Sequence, residues 1–168
     1  MYQSQALTGD AGADTLLGEG GDDVLAGGEG GDILAGGEGD DTADYSGSTA
    51  GVTVDLGAGT GAGGDAAGDT LSGIEILIGS DFVDSLVGSA GSDTIYGGGD
   101  NDTIIAGGAG ADSLVGGDGD DSLIGGTGND TIAGTAGADI LAGGAGADSL
   151  EGGEGEVLAD YSGSSAGE

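Results

Sequence analysis

Residues Gly107–Glu151 read GGAGADSLV, GGDGDDSLI, GGTGNDTIA, GTAGADILA and GGAGADSLE, five consecutive units of nine residues. Each unit opens on glycine, places Asp at its sixth position and sets Leu or Ile at its eighth. Asp112, Asp121, Asp130, Asp139 and Asp148 therefore recur at a spacing of nine, in step with Leu114, Leu123, Ile132, Leu141 and Leu150. A strict period is read before local structure, because one repeat cannot bury its apolar face alone and must stack on its neighbours.

Nine residues of this kind have a physical reading. The Gly/Asp-rich six make a tight turn, since glycine reaches the left-handed backbone region without steric cost. The last three make a short strand whose middle side chain points inward and whose flanking side chains point outward. Two units close one coil, and alternate units stack about 4.8 Å apart, so the sixth-position carboxylates superpose along each side. Two stacked carboxylates with turn carbonyls form an all-oxygen cage. That suits calcium, which takes six to eight oxygens, better than magnesium, which demands a smaller octahedron.

Outward from this stretch the period continues in both directions. Upstream lie GSDFVDSLV, GSAGSDTIY and GGGDNDTII, which carry Asp84, Asp93 and Asp102 and complete a block of eight units over residues 79–151. Phe82 and Asp100 occupy the usual fourth-position glycine. Asp tolerates a left-handed backbone better than Phe, so Phe82 marks the poorer turn. Ala106 reads as a one-residue insertion, because Asp102 and Asp112 are ten apart. An earlier block of four units spans 9–44, with Asp14, Asp23, Asp32 and Asp41 followed by Leu16, Leu25, Leu34 and Ala43.

Between the blocks, residues 45–78 lose the period. Tyr45–Gly51 is a polar connector, Val52–Leu56 alternates like a strand, Gly57–Gly68 reads as a mobile Gly/Ala-rich loop, and Asp69–Ile78 is strand-like again. The expectation is one irregular excursion within a continuous solenoid. Residues 1–8 read as a cap or leader, and 152–168 as a degenerate repeat. Residues 152–167 match 36–51 at 12 of 16 positions, with Val157 where Asp41 stands, which reads as the start of a next supermodule in a longer array.

Composition narrows the function. There are 32 acidic residues, no Lys, Arg or His, 46 Gly, and neither Pro nor Cys. Unopposed negative charge resists compaction, so without a counter-cation a disordered acidic chain is the expectation. It also excludes nucleic-acid phosphates and anionic membrane surfaces as partners. No run is long and apolar enough for membrane insertion, and Met1–Gln5 lacks the basic and apolar regions of a signal peptide. Absence of His and Cys turns the metal reading away from zinc, copper and iron.

The motif GG-x-G-x-D-x-(Leu/Ile)-x resembles the RTX (repeats-in-toxin) nonapeptide, the calcium-binding repeat of haemolysin-type proteins. The resemblance covers 9–44 and 79–151, and DYSGSTAGVTVDL with GDTLSGIE resembles a connector common in such arrays. It implies an all-β fold, a right-handed parallel β-roll or β-helix solenoid, with two blocks of nonapeptide repeats interrupted by an irregular strand-loop-strand excursion. It further implies calcium between successive turns, folding triggered by calcium, and type I secretion to the cell surface or medium.

Carried over unit by unit, it implies stacked pairs Asp14/Asp32 and Asp23/Asp41. It also implies the columns Asp84–Asp102–Asp121–Asp139 and Asp93–Asp112–Asp130–Asp148, and about eight calcium ions. Sites at Asp84 and Asp102 are the irregular ones. The functional expectation is a calcium-binding structural module of an adhesin, surface-layer or filament-forming array, extracellular or at the cell surface. The alternative is a repeat domain accessory to a secreted toxin or enzyme (hydrolase, protease or epimerase) whose active site lies outside these residues.

Self-association is expected end to end through open strand edges, or laterally through outward Val87, Ile105 and Ile124. Catalysis is not expected, for no base or activated nucleophile accompanies the carboxylates. Ice binding would need outward Thr and Asn at positions three and five of successive units, and only Thr127/Asn129 fits.

Overall fold

In the computed structural model, which describes residues 3–161 and 163, the period becomes a stack of two-unit coils. Strands from alternate units lie side by side, and identical positions face one another: Leu114 opposite Ile132, and Leu123 opposite Leu141. One sheet runs β1 (Ala6–Thr8), β3 (Val24–Ala26), β5 (Thr42–Asp44), β9 (Ile76–Ile78), β11 (Thr94–Gly99), β13 (Ser113–Asp118), β15 (Thr131–Ala136) and β17 (Ser149–Glu154). The other runs β2 (Thr15–Gly20), β4 (Ile33–Glu38), β8 (Thr70–Ser72), β7 (Thr60–Ala62), β6 (Thr53–Asp55), β10 (Ser85–Val87), β12 (Thr103–Ile105), β14 (Ser122–Thr127), β16 (Ile140–Ala145) and β18 (Leu158–Asp160). Every pairing is parallel except those made by β7. This is the parallel β-roll solenoid.

In the regular block the strands run six residues rather than three, from position seven through position three of the next unit. Identical coils in register place each backbone N–H opposite a carbonyl on the next coil, so positions one to three join the ladder too. Only positions four to six remain as the turn.

Eighth-position side chains line the interior. Leu25, Leu34, Leu86, Ile95, Ile104, Leu114, Leu123, Ile132 and Leu141 are all fully buried. Each stabilises by roughly 1.5–3 kcal/mol. Ordering nine residues costs on the order of 10 kcal/mol in backbone entropy. One aliphatic per unit falls short, so the turns must contribute as well.

The connector sits inside the sheets. β5 pairs with β9, β4 with β8, and β6 with β10, so both sheets pass through it unbroken. Gly57–Gly68 is not an open loop. It holds β7, antiparallel to β6, and a 3₁₀ turn at Gly64–Ala66 whose Ala66 is buried in the core. Tyr45, Val52, Val54 and Ile74 join the same buried core as the repeat aliphatics and the small Ala43.

The inserted residue is absorbed one place later than the spacing indicates. Ala106 donates its N–H to Ile124 as position-one glycines do, and the chain bulges at Gly107, with φ 76°. Phe82 avoids the left-handed region, whereas Asp100 enters it at φ 62°. Among the described residues no helix is long and apolar enough to cross a membrane.

Candidate metal centres

The carboxylates form two ladders along the turn edges. In each, the Asp N–H donates to Oδ1 of the Asp one coil further on. Asp14 N–H reaches Asp32 at 2.8 Å and Asp23 reaches Asp41 at 2.8 Å. In the second block Asp84, Asp102, Asp121 and Asp139 are joined in this way at 2.8–3.0 Å. Asp93, Asp112, Asp130 and Asp148 form the parallel series at 2.9–3.0 Å. These are the same Asp columns that the repeat resemblance implies, unit by unit.

Oδ1 is thus occupied by the fold, and Oδ2 is what remains. In Asp23, Asp32, Asp41, Asp102, Asp112, Asp121, Asp130 and Asp139, Oδ2 is buried and has no hydrogen-bond partner. A buried carboxylate oxygen left alone is costly, and with no cationic side chain in the sequence nothing on the chain can neutralise it. What faces these oxygens is more oxygen. A Cβ on Gly116 would collide with Asp121 Oδ2 and approach the Gly134 carbonyl of the next coil. The same juxtaposition recurs at Gly18 (Asp23 and Gly36), Gly97 (Asp102 and Gly116), Gly125 (Asp130 and Gly143) and Gly134 (Asp139 and Gly152). Position-one glycine keeps open the space where a carboxylate oxygen and a carbonyl converge.

Three turns are built otherwise. Asp14 Oδ2 accepts from its own turn's Asp10 N–H at 3.2 Å. Asp84 Oδ2 accepts from Ser80 N–H at 2.6 Å, and its Oδ1 from the Ser80 hydroxyl at 2.9 Å. Asp93 is held likewise by Ser89, at 2.7 Å from N–H and 3.0 Å from the hydroxyl. These units carry Asp or Ser at position two, where the open turns carry a residue with positive φ, such as Gly98 or Gly117. Ser80 also accepts from Phe82 N–H, which secures the turn that lacks a fourth-position glycine. Asp148 is half-buried near the end of its column.

Two carboxylates outside the period extend the ladders. Asp32 N–H donates to Asp69 at 2.8 Å, and Asp41 N–H donates to Glu75 at 3.0 Å. The local signal was present in the chain: Asp69-Thr70-Leu71 repeats Asp14-Thr15-Leu16, and Glu75-Ile76-Leu77 parallels Asp139-Ile140-Leu141. Asp69 is closed by the buried Tyr45 hydroxyl at 2.9 Å.

Burial of like charges perturbs the titrations. Burial pushes Asp102 up to about 7, and the neighbouring Asp84, Asp121 and Asp100 add to it, against a lowering by the Asp84 N–H. Asp112, Asp121 and Asp130 also move upward, again chiefly through burial. Each carboxylate wants a proton or a metal.

The donor set decides which metal. Among the described residues no three His, Cys, Asp or Glu side chains converge on one point, so any cage here combines one or two carboxylates with backbone carbonyls. Hard, purely oxygen donors of irregular geometry fit calcium. No curated protein matches the sequence. The family model of the RTX calcium-binding nonapeptide repeat does, in four copies, at residues 8–43, 78–108, 104–132 and 124–156. With more than half its length in those matches and its carboxylates stacked between coils, the chain belongs to the RTX calcium-binding repeat family.

Proposed function

We propose that this chain is a calcium-folded structural module of a secreted or cell-surface protein, part of an adhesin, surface-layer or filament-forming array. The observation that carries it is the set of buried, unpartnered Oδ2 atoms. About eight calcium ions, drawn from the columns Asp14, Asp23, Asp32 and Asp41, and Asp84, Asp93, Asp102, Asp112, Asp121, Asp130, Asp139 and Asp148, would balance half of the 32 negative charges. The eight orphaned oxygens are the strongest ligands. The ion supplies charge neutralisation and crosslinks successive coils. The residues supply Oδ2 and carbonyl oxygens in place, while Oδ1 holds the ladder.

Cytosolic calcium is too scarce to load sensor-class sites fully, whereas extracellular modules work at about 10⁻⁴–10⁻³ M. Folding would therefore follow export. Among the described residues, β1 and β2 are the outermost strands of the two sheets at one end and β17 and β18 at the other, and end-to-end association would run through these strands. Val87, Ile105 and Ile124, register neighbours on β10, β12 and β14, form a partly exposed row suited to lateral contact. The hydroxyls of Ser80 and Ser89 are committed to their own turns, which favours a structural role over a catalytic one. Far-UV circular dichroism with chelator and with millimolar calcium tests the module: disorder converting to β structure is expected, and a fold indifferent to chelator would overturn it. Light scattering in calcium tests assembly, with a strictly monomeric chain at high concentration counting against it.

A further inference from the structure

Residues 44–77 lie outside every repeat match, yet the structure assigns them a share in a cation site: we propose that Gly73, through its carbonyl, and Glu75 join the last Asp of the first block, Asp41, in binding a divalent cation at the seam between the two repeat blocks. This rests on the calcium reading above and extends it to residues without the nonapeptide motif.

Asp41 is fully buried, and its Oδ2 has no partner. A Cβ on Gly36 would collide with both that oxygen and the Gly73 carbonyl, as a Cβ on Gly18 would with Asp23 Oδ2 and the Gly36 carbonyl. Gly73 therefore stands where the position-one glycine of a next repeat would stand. Glu75 takes the Asp place, accepting from Asp41 N–H at 3.0 Å, and Ile76 N–H bonds the Asp41 carbonyl as Thr42 N–H bonds that of Asp23. The connector delivers its acid two residues after its glycine, where a repeat takes five, and the extra methylene of Glu covers the difference.

The same connector treats its other column differently. Asp69 has both oxygens engaged, by Asp32 N–H and the Tyr45 hydroxyl, and needs no ion. Glu75 has one carboxylate oxygen beyond the ladder bond, and the charges around it are Asp41, Asp40 and Asp93. Asp41 with its orphaned oxygen and Glu75 with its second oxygen have no base in the chain to neutralise them and call for a cation, and oxygen-only ligands select a hard one. With that ion the column would run from Asp23 through Asp41 and Glu75 towards Asp93, tying the blocks together.

The test counts ions on the whole chain by native mass spectrometry at saturating calcium. Glu75→Gln keeps an acceptor for Asp41 N–H and should bind one ion fewer than wild type, while Glu29→Gln, an exposed acid in a turn, should bind the full number. Asp41→Asn, which still accepts from Asp23 N–H, should also lose the seam ion, and adding Glu75→Gln to it should remove no further one. Should Glu75→Gln stay unfolded in calcium, the Asp41→Asn count decides by the same criterion. Equal counts and equal calcium midpoints in wild type and Glu75→Gln would overturn the seam site while leaving the repeat sites standing. A wild-type chain that binds no calcium would overturn both.

Discussion

Asp121→Asn separates what a turn carboxylate does for the fold from what it does for the metal. Asp121 accepts from Asp102 N–H at 2.8 Å through Oδ1 and leaves Oδ2 buried beside the Gly134 carbonyl. Asn preserves the first oxygen and replaces the second with an NH₂ that can donate to that carbonyl. In calcium at a hundredfold excess over Kd, losing one linked ion removes about 2.7 kcal/mol. For a chain of this size that lowers Tm by about 5–10 °C. Asp121→Ala should cost about 1–3 kcal/mol more, because Asp102 N–H is then buried without an acceptor.

In chelator the ranking should invert. Asp121 is buried and faces Asp139 and Asp120, so removing its charge relieves repulsion, and Asp121→Asn should show more residual β structure than wild type. Thermal melts followed by circular dichroism, with and without chelator, read both signs, and calorimetric titration reads the ion count. An unchanged Tm in calcium together with an unchanged stoichiometry would refute the assignment of Oδ2 as a ligand.

Other outcomes follow from the same geometry. Asp93→Asn should leave the calcium count unchanged, because Ser89 already holds both oxygens of Asp93, whereas Asp102→Asn should lower it by mass spectrometry. Gly116→Ala should depress both calcium affinity and Tm, since its Cβ enters the space between Asp121 Oδ2 and the Gly134 carbonyl at a backbone position without positive φ. Gly47→Ala, with open space around it, is the silent control for those melts. Acid should partly replace calcium. Asp102 titrates at about 7 in the fold against 3.8 ordinarily, so its contribution to stability is fully present below 3.8 and lost as pH rises to about 7. In chelator, β structure should therefore grow between about pH 7 and 4, while calcium midpoints weaken over the same range as protons compete for the oxygens. A pH-independent spectrum in chelator would count against this.

The two columns and the aliphatic ladder were legible because each depends on one residue repeated at one period. Asp121 and Leu123 mean the same thing as Asp130 and Ile132. What escaped was whatever the period does not encode. Six-residue strands were hidden because Gly116-Gly117-Asp118 reads as turn chemistry; only stacking on an identical coil supplies its bonding partners. Asp69 and Glu75 lie off the period and join the columns through contacts 37 and 34 residues away. Their Asp-Thr-Leu and Glu-Ile-Leu contexts are the local trace of that role. The Ser80 and Ser89 turns left a clearer mark, serine at position two and Asp four residues on, whose meaning needed the hydroxyl's direction to be seen.

The absence of any basic residue gives this arrangement its logic. Carboxylates stacked about 4.8 Å apart repel by roughly 3–4 kcal/mol per neighbouring pair at an effective dielectric of about 20. That exceeds the roughly 1.5–3 kcal/mol from each unit's buried aliphatic. A Lys or Arg in the turn would cancel the repulsion permanently, and the coil would then stand without metal. Here the chain has none, so the sign of the turn energy is set from outside. A divalent ion held by neighbouring carboxylates would convert the repulsion into attraction, and each ordered coil would present the next with a finished set of oxygens. The Ser80, Ser89 and Tyr45 hydroxyls are the exceptions that support this reasoning. They sit at the connector and the irregular units beside it, where the repeat geometry is disturbed and a hydrogen-bond donor built into the chain takes the role proposed for calcium elsewhere.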